Sequence, residues 1–190
     1  MEVTKTLARF IVNHRAEDLP EKVRHEAARS ILNWVGCAVG ASRHETVENA
    51  LAALGEFSGA REATVLGRGD KLDVMLAALM NGITSHTFDF DDTHLKTVIH
   101  PSGPVASAIL ALSEHKPMNG NDFLHAFILG VEAECRIGNS VYPQHYDVGW
   151  HITGTVGPFG AAAAAGKLLR LPEQQMLWAL VVSAEFLVNH

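Results

Sequence analysis

Cysteine is scarce in this chain. Its 190 residues hold two, Cys37 and Cys135. They lie far apart, outside any Cys-x-x-Cys pair, which argues against a structural zinc site and against a disulfide framework. Both sit in apolar stretches and read as small core residues. Basic clusters are also missing. Fifteen Lys and Arg face 21 Asp and Glu, for a net charge of −6, so the stripe that a nucleic-acid partner needs is absent. No apolar run reaches the roughly 18 residues of a membrane span. Met1 to Phe10 has no cationic segment leading into an apolar one, as a secretory signal would. The expectation is a cytoplasmic protein with no nucleic-acid and no membrane partner. The sequence also lacks His-Glu-x-x-His, a His followed directly by Asp, and Gly-x-x-x-x-Gly-Lys-Ser/Thr. The Gly-rich run 154–160 carries Pro158 and follows no predicted strand, so it reads as a helix start and not a dinucleotide site. No metal and no cofactor are expected.

Apolar residues, at 47% against 19% charged, are enough for a sizeable core and exclude general disorder. Their spacing is helical nearly throughout. Pro20 suits a first turn, with Asp18 just ahead, and Ala28, Ile31, Leu32, Val35 and Val39 form a stripe that Gly40 ends. A second stripe runs from Val47 to Leu54. The segment Ala63–Gly69 is the one candidate for a strand. Asp70 or Lys71 starts a further helix through Ile83, another spans about Ser102–His115, and Asn121 or Asp122 can cap the next. Residues 156–169 are rich in Ala and Gly, which permits close helix packing. Pro172 opens a last helix with Leu177, Leu180, Val181, Phe186, Leu187 and Val188 on both faces, so self-association is expected. The fold class predicted is all-α, one helical domain over residues 1–190.

Two polar loops interrupt the helices. The first runs Phe88-Asp89-Phe90-Asp91-Asp92-Thr93-His94 and on to His100-Pro101-Ser102. Three carboxylates beside two phenylalanines can hold a general acid or base if part of the segment is buried. Asp91 and Asp92 can equally be helix caps or ion-pair partners. His100, held extended by Pro101, opens a helix whose first amides favour anions. The second loop, His145 to Thr155, contains Trp150-His151-Ile152-Thr153 between glycines. His151 is a proton-transfer or carboxylate-binding candidate, and Thr153 and Thr155 can donate hydrogen bonds. His94 and His145 read as solvated or supporting groups. His14, His25 and His125 are expected on helices facing water. Arg136 could bind a substrate carboxylate, or pair with Glu132 or Asp89.

The same stretches, with Leu19-Pro20-Glu21, Gly36-Cys37-Ala38 and the Ala-rich 160–169, resemble the MmgE/PrpD family. That family includes 2-methylcitrate dehydratase, cis-aconitate decarboxylase and iminodisuccinate epimerase. The resemblance implies a mostly helical domain with a smaller α/β lid, a homodimer, and chemistry without metal or organic cofactor. It places Asp89, Thr93, His100 and His151 in the site. His100 and His151 would handle protons or bind carboxylates, Asp89 would orient a histidine or act as base, and Thr93 would position substrate, with Thr153 and Arg136 as further binding candidates. Family members are more than twice as long and carry a later motif with a site lysine, which Lys167 does not match. The chain therefore resembles the N-terminal portion of the family architecture, without the lid. The activity implied is cofactor-free acid/base lyase chemistry on a small polycarboxylate. Dehydration of 2-methylcitrate comes first, with cis-aconitate decarboxylation, epimerisation of an amino-dicarboxylate, or a non-catalytic dimerisation module as alternatives. These 190 residues alone are expected to show negligible turnover.

Overall fold

The structure is a computed structural model that describes residues 2–188, with side-chain surroundings through Ala184. Phe186, Leu187 and Val188, named above for the last helix, lie outside the residues whose side chains are described.

Nine α-helices, two single-turn 3-10 helices and one small hairpin are the regular elements of the described residues, so the chain is all-α as its apolar spacing implied. Helix α1 (Glu2–Asn13) turns Ala8 and Ile11 inward. Its final carbonyls have no partners within the helix. The Lys167 ammonium supplies them, donating to the carbonyls of Ile11, Val12 and His14 at 2.8, 2.9 and 2.8 Å.

Helix α2 (Glu21–Ala41) starts after Pro20 and runs through Gly40. Its buried face corrects the stripe read from sequence. Ala27, Trp34, Ala38 and Ala41 are buried, while Leu32 is 72% exposed and Val39 is exposed. Both faces of α2 carry apolar residues, so periodicity alone left the choice open. The indole of Trp34 decided it by filling the space against Val105, Ile109 and Phe127.

Helix α3 (Glu45–Leu54) is followed by strands β1 (Ala63–Thr64) and β2 (Lys71–Leu72), which pair antiparallel. Gly67 and Gly69 take φ of +74° and +78° in the connection, conformations that glycine adopts without penalty. The single strand expected over 63–69 is thus a hairpin. Asp70 and Lys71 do not start a helix: Asp73 caps α4 (Val74–His86), accepting from the Met75 and Leu76 amides at 3.0 and 3.1 Å.

Helix α5 spans Ser102–His115, as its sequence indicated. Helix α6 (Gly120–Val141) is capped by Asn119, whose side chain accepts from the Asp122 amide, so its start lies just ahead of the Asn121 and Asp122 expected. A short α7 (Gln144–Asp147) precedes α8 (Ile152–Leu168) and α9 (Glu173–Val188). Within the side chains described, α9 buries Met176, Leu180 and Ser183 and exposes the apolar Trp178, Val181 and Val182.

Helix α8 is the central element. It packs against α5, α6 and α9 and is apolar around its whole circumference, as a buried helix must be. Small residues set how close its neighbours come. A methyl group on Gly130 would lie 2.7 Å from the Gly160 carbonyl oxygen, and one on Gly160 would lie 2.6 Å from Glu134 Oε2.

Two titratable groups in this core were not foreseen. Glu134 is fully buried with both carboxylate oxygens unpartnered, and burial, reinforced by the charge of Asp92, pushes its pKa well up. His125 faces inward, contrary to expectation, with its Nε2 3.0 Å from His14 Nδ1. Burial and the charges of Lys167, His14 and Arg24 press its pKa down to about 4.

Candidate active site

The first polar loop begins where α4 ends. His86 is the last residue of α4, and its Nδ1 lies 3.1 and 3.0 Å from the two carboxylate oxygens of Asp91. The Asp91 side chain is 0% exposed. A buried carboxylate is costly unless it is paired, and here two imidazoles surround it. His100 Nδ1 lies 3.5 Å from Asp91 Oδ1, and His100 Nε2 lies 3.6 Å from Asp89 Oδ1. His100 is itself 16% exposed and stands between the two acids.

The backbone is shaped to achieve this. Asp89 adopts φ +58° and Val98 φ +52°. Aspartate tolerates the left-handed region, whereas a β-branched residue there is strained and must be held by its surroundings. The holding contacts are local. His94 and Ile99 form an antiparallel bridge, the Val98 amide donates to the His94 carbonyl at 2.9 Å, and His94 Nδ1 meets Thr97 Oγ1 at 2.7 Å.

Asp92 has a different task. Its carboxylate accepts from the Ser102 amide at 3.2 Å and the Ser102 hydroxyl at 2.7 Å. It therefore occupies the anion-favouring start of α5, the helix-cap role that the sequence offered for it. Burial raises the Asp92 pKa, and the hydrogen bonds from Ser102 and Ser30 oppose the shift.

The second loop closes on the first. His151 caps α8, its Nδ1 accepting from the Gly154 amide at 3.2 Å. Nδ1 is thereby an acceptor, and a neutral ring carries its proton on Nε2. Thr153 Oγ1 accepts from the His100 amide at 3.0 Å, tying the two loops together. The ring centroids of His86 and His100 are 4.8 Å apart and those of His86 and His151 6.1 Å. His145, as a supporting group, bonds Thr155 at 2.8 Å and stacks on Trp150. The imidazoles open into a cavity of about 450 Å³ lined by Asp91, Thr153 and the apolar Leu79, Ile83 and Pro158, a size and character usual for small-molecule sites.

The N-terminal domain of the MmgE/PrpD family matches residues 5–185. The chain belongs to the MmgE/PrpD family. It is 30% identical to cis-aconitate decarboxylase of Aspergillus terreus over 187 residues, covering 95% of this chain and 38% of that protein. It is 32% identical to the mouse cis-aconitate decarboxylase over 188 residues, 95% of this chain and 38% of that protein. With the human cis-aconitate decarboxylase it shares 32% over 193 residues, 95% and 39% respectively. The chain thus spans under two-fifths of the length of these relatives.

Within this MmgE/PrpD domain, His100, His151 and Thr153 line the cavity and Asp89 approaches it from an exposed position. Thr93 is exposed, with its Oγ1 3.5 Å from the Asp91 carbonyl, and lies outside the cavity lining. Arg136 stands apart. It pairs with Glu132 at 2.6 Å on α6 and borders a groove against α1, so the pairing alternative is the one adopted. Two residues were missed. His86 lies just past the helix expected through Ile83, with no role expected of it, and Asp91 looked as much like a cap as like a functional acid. The usable signal was the spacing of His86 from Asp91, since a helix that ends between them lets the chain fold back.

Among the described residues, no helix is long and apolar enough to cross a membrane.

Proposed function

We propose that this domain contributes the proton-transferring half of a lyase site for a small polycarboxylate, and that the reaction is decarboxylation of cis-aconitate or a close analogue. The observation that carries the reading is three imidazoles, His86, His100 and His151, lining one cavity, with His86 and His100 set beside the solvent-shielded carboxylate of Asp91 and His151 next to His86. The names of the relatives move decarboxylation ahead of the 2-methylcitrate dehydration that motif resemblance put first.

The chemistry suits the groups. Loss of CO2 from a carboxymethyl arm next to a carbon–carbon double bond releases an electron pair. The pair shifts across the double bond, and the far carbon takes a proton. A protonated imidazole supplies that proton, and the cationic ring also attracts the remaining carboxylates. Asp91 holds His86 at Nδ1. In a neutral ring so held, the proton sits on Nδ1 and Nε2 is the free atom. His151, with Nδ1 bound to a backbone amide, offers its Nε2–H.

The test is turnover in a full-length protein carrying this domain. CO2 release from cis-aconitate should fall by about 100-fold or more in His100→Ala and in His151→Ala, and stay near the parent rate in His25→Ala, an exposed position on α2. Faster turnover of 2-methylcitrate than of cis-aconitate would reinstate the dehydratase reading. Equal activity in all three variants would remove the site.

A further inference from the structure

His86, Asp89, Asp91 and His100 each offer one ligand atom, and the four atoms lie within 4.8 Å of one another. We propose that this quartet is a binding site for a divalent transition-metal ion of the Zn2+ class, and that the ion competes there with proton transfer. The binding half stands independently of the proposed reaction, and the competition half rests on it.

The donor set argues for such an ion. Two imidazoles favour a borderline-soft metal over Mg2+ or Ca2+, which prefer all-oxygen shells. Two carboxylates match the 2+ charge. A tetrahedral ion with bonds of about 2.0–2.2 Å sets its ligand atoms roughly 3.3–3.6 Å apart. The nearest approaches here are 3.0 Å for His86 Nδ1 to Asp91 Oδ2, 3.5 Å for His100 Nδ1 to Asp91 Oδ1, and 3.6 Å for His100 Nε2 to Asp89 Oδ1. One ion takes one His100 nitrogen, so only one of the two His100 approaches becomes a bond; with one atom from each residue the four lie within 4.8 Å, and side-chain rotation brings them to the tetrahedral spacing. A second observation points the same way. His100 Nδ1 is buried and has no hydrogen-bond partner, a state that costs free energy and calls for an occupant.

Preorganisation and access are both present. Asp91 is shut off from solvent, while Asp89 is 75% exposed and offers the ion a way in. The set escapes spacing rules because its ligands come from a helix end, a left-handed loop residue and the approach to the next helix. A bound ion would take up His86 Nδ1 and break its contact with Asp91, which sets the tautomer that the proposed reaction uses, so metal occupancy and proton transfer exclude each other.

The experiment is calorimetric titration of the chelator-stripped chain with Zn2+, paired with the visible absorption of Co2+ as a report on coordination. One ion per chain is expected. Affinity should fall at least about tenfold in His86→Ala, Asp91→Asn and His100→Ala, and remain unchanged in His25→Ala, with circular dichroism confirming the fold of each. Asp89→Asn serves where the buried variants fail to fold, because the position is exposed and asparagine tolerates its φ. It too should weaken binding. No uptake at micromolar Zn2+, or equal uptake by parent and Asp89→Asn, overturns the site. For the competition half, Zn2+ should suppress cis-aconitate turnover of the full-length protein and chelator should restore it. Binding at the quartet with turnover unaffected overturns that half and leaves the site standing.

Discussion

The Asp91 carboxylate and the His86 imidazole meet at 3.0 Å with the acid entirely shielded from water. Of the contacts in the candidate site, this one fixes the most. It closes the loop back onto the end of α4, sets the ring of His86, and leaves the second Asp91 oxygen 3.5 Å from His100. Asp91→Asn preserves the shape but replaces an acceptor by an amide. If the proposed reaction holds, in a longer family member carrying this domain it should lower kcat by about 100-fold or more with a smaller change in KM, since the histidine tautomer is set by the carboxylate. Steady-state kinetics decide it, and a rise in KM alone would reassign Asp91 to substrate binding.

His125 makes stability fall with acid. Its folded pKa, about 4, is below the ordinary 6.5 because burial and neighbouring cations disfavour the charged ring. Above pH 6.5 both folded and unfolded chains hold it neutral. Below that value the unfolded chain takes up the proton first, so stability is lost progressively down to about pH 4, by about 3 kcal/mol. Urea denaturation at pH 7 and pH 4.5 should show a smaller loss in His125→Gln than in the parent. An identical loss would mean the ring is solvated.

Glu134 acts in the opposite direction. Its folded pKa is raised well above 4.5 by burial. Below pH 4.5 both states are protonated and the group contributes nothing to the pH dependence. As pH rises from there the unfolded chain ionises and the folded chain does not, so stability declines until the folded pKa is passed. Glu134→Gln removes that drift. Its melting temperature relative to the parent should climb between pH 5 and pH 8. A gap independent of pH would show that the acid ionises in the folded state.

The α6–α8 crossing leaves no room for a side chain. Gly160→Val would drive methyl groups into Glu134 and Val105, with a cost of about 2 kcal/mol or more. Replacement at Gly36, where a Cβ meets nothing within 4 Å, should change the denaturation midpoint little or raise it slightly. Equal effects at the two positions would mean the helices sit farther apart.

The bounds of α5, the helical class and the two polar interruptions were legible because they depend on local periods, caps and breakers. Ser102–His115 has a proline just ahead of it and a polar stretch after it, and no neighbour needed to be known to place it. The site was legible in part. His100 and His151 stood out because they lie in polar loops next to proline and glycine. Their 51-residue separation, by subtraction of their numbers, says nothing of their meeting at one cavity wall. That meeting required α5 and α8 to pack side by side. His86 was hidden for the same reason, since its partner Asp91 reaches it only after the chain reverses direction. The buried face of α2 and the inward turn of His125 were likewise settled by which neighbour covered which surface, whereas the pairing of Arg136 with Glu132 is a local i,i+4 contact on α6. Local sequence determines how the backbone of each segment folds, because those energies act over a few residues. Burial, pKa and the assembly of a site depend on groups distant in sequence, and only the packed tertiary structure decides them.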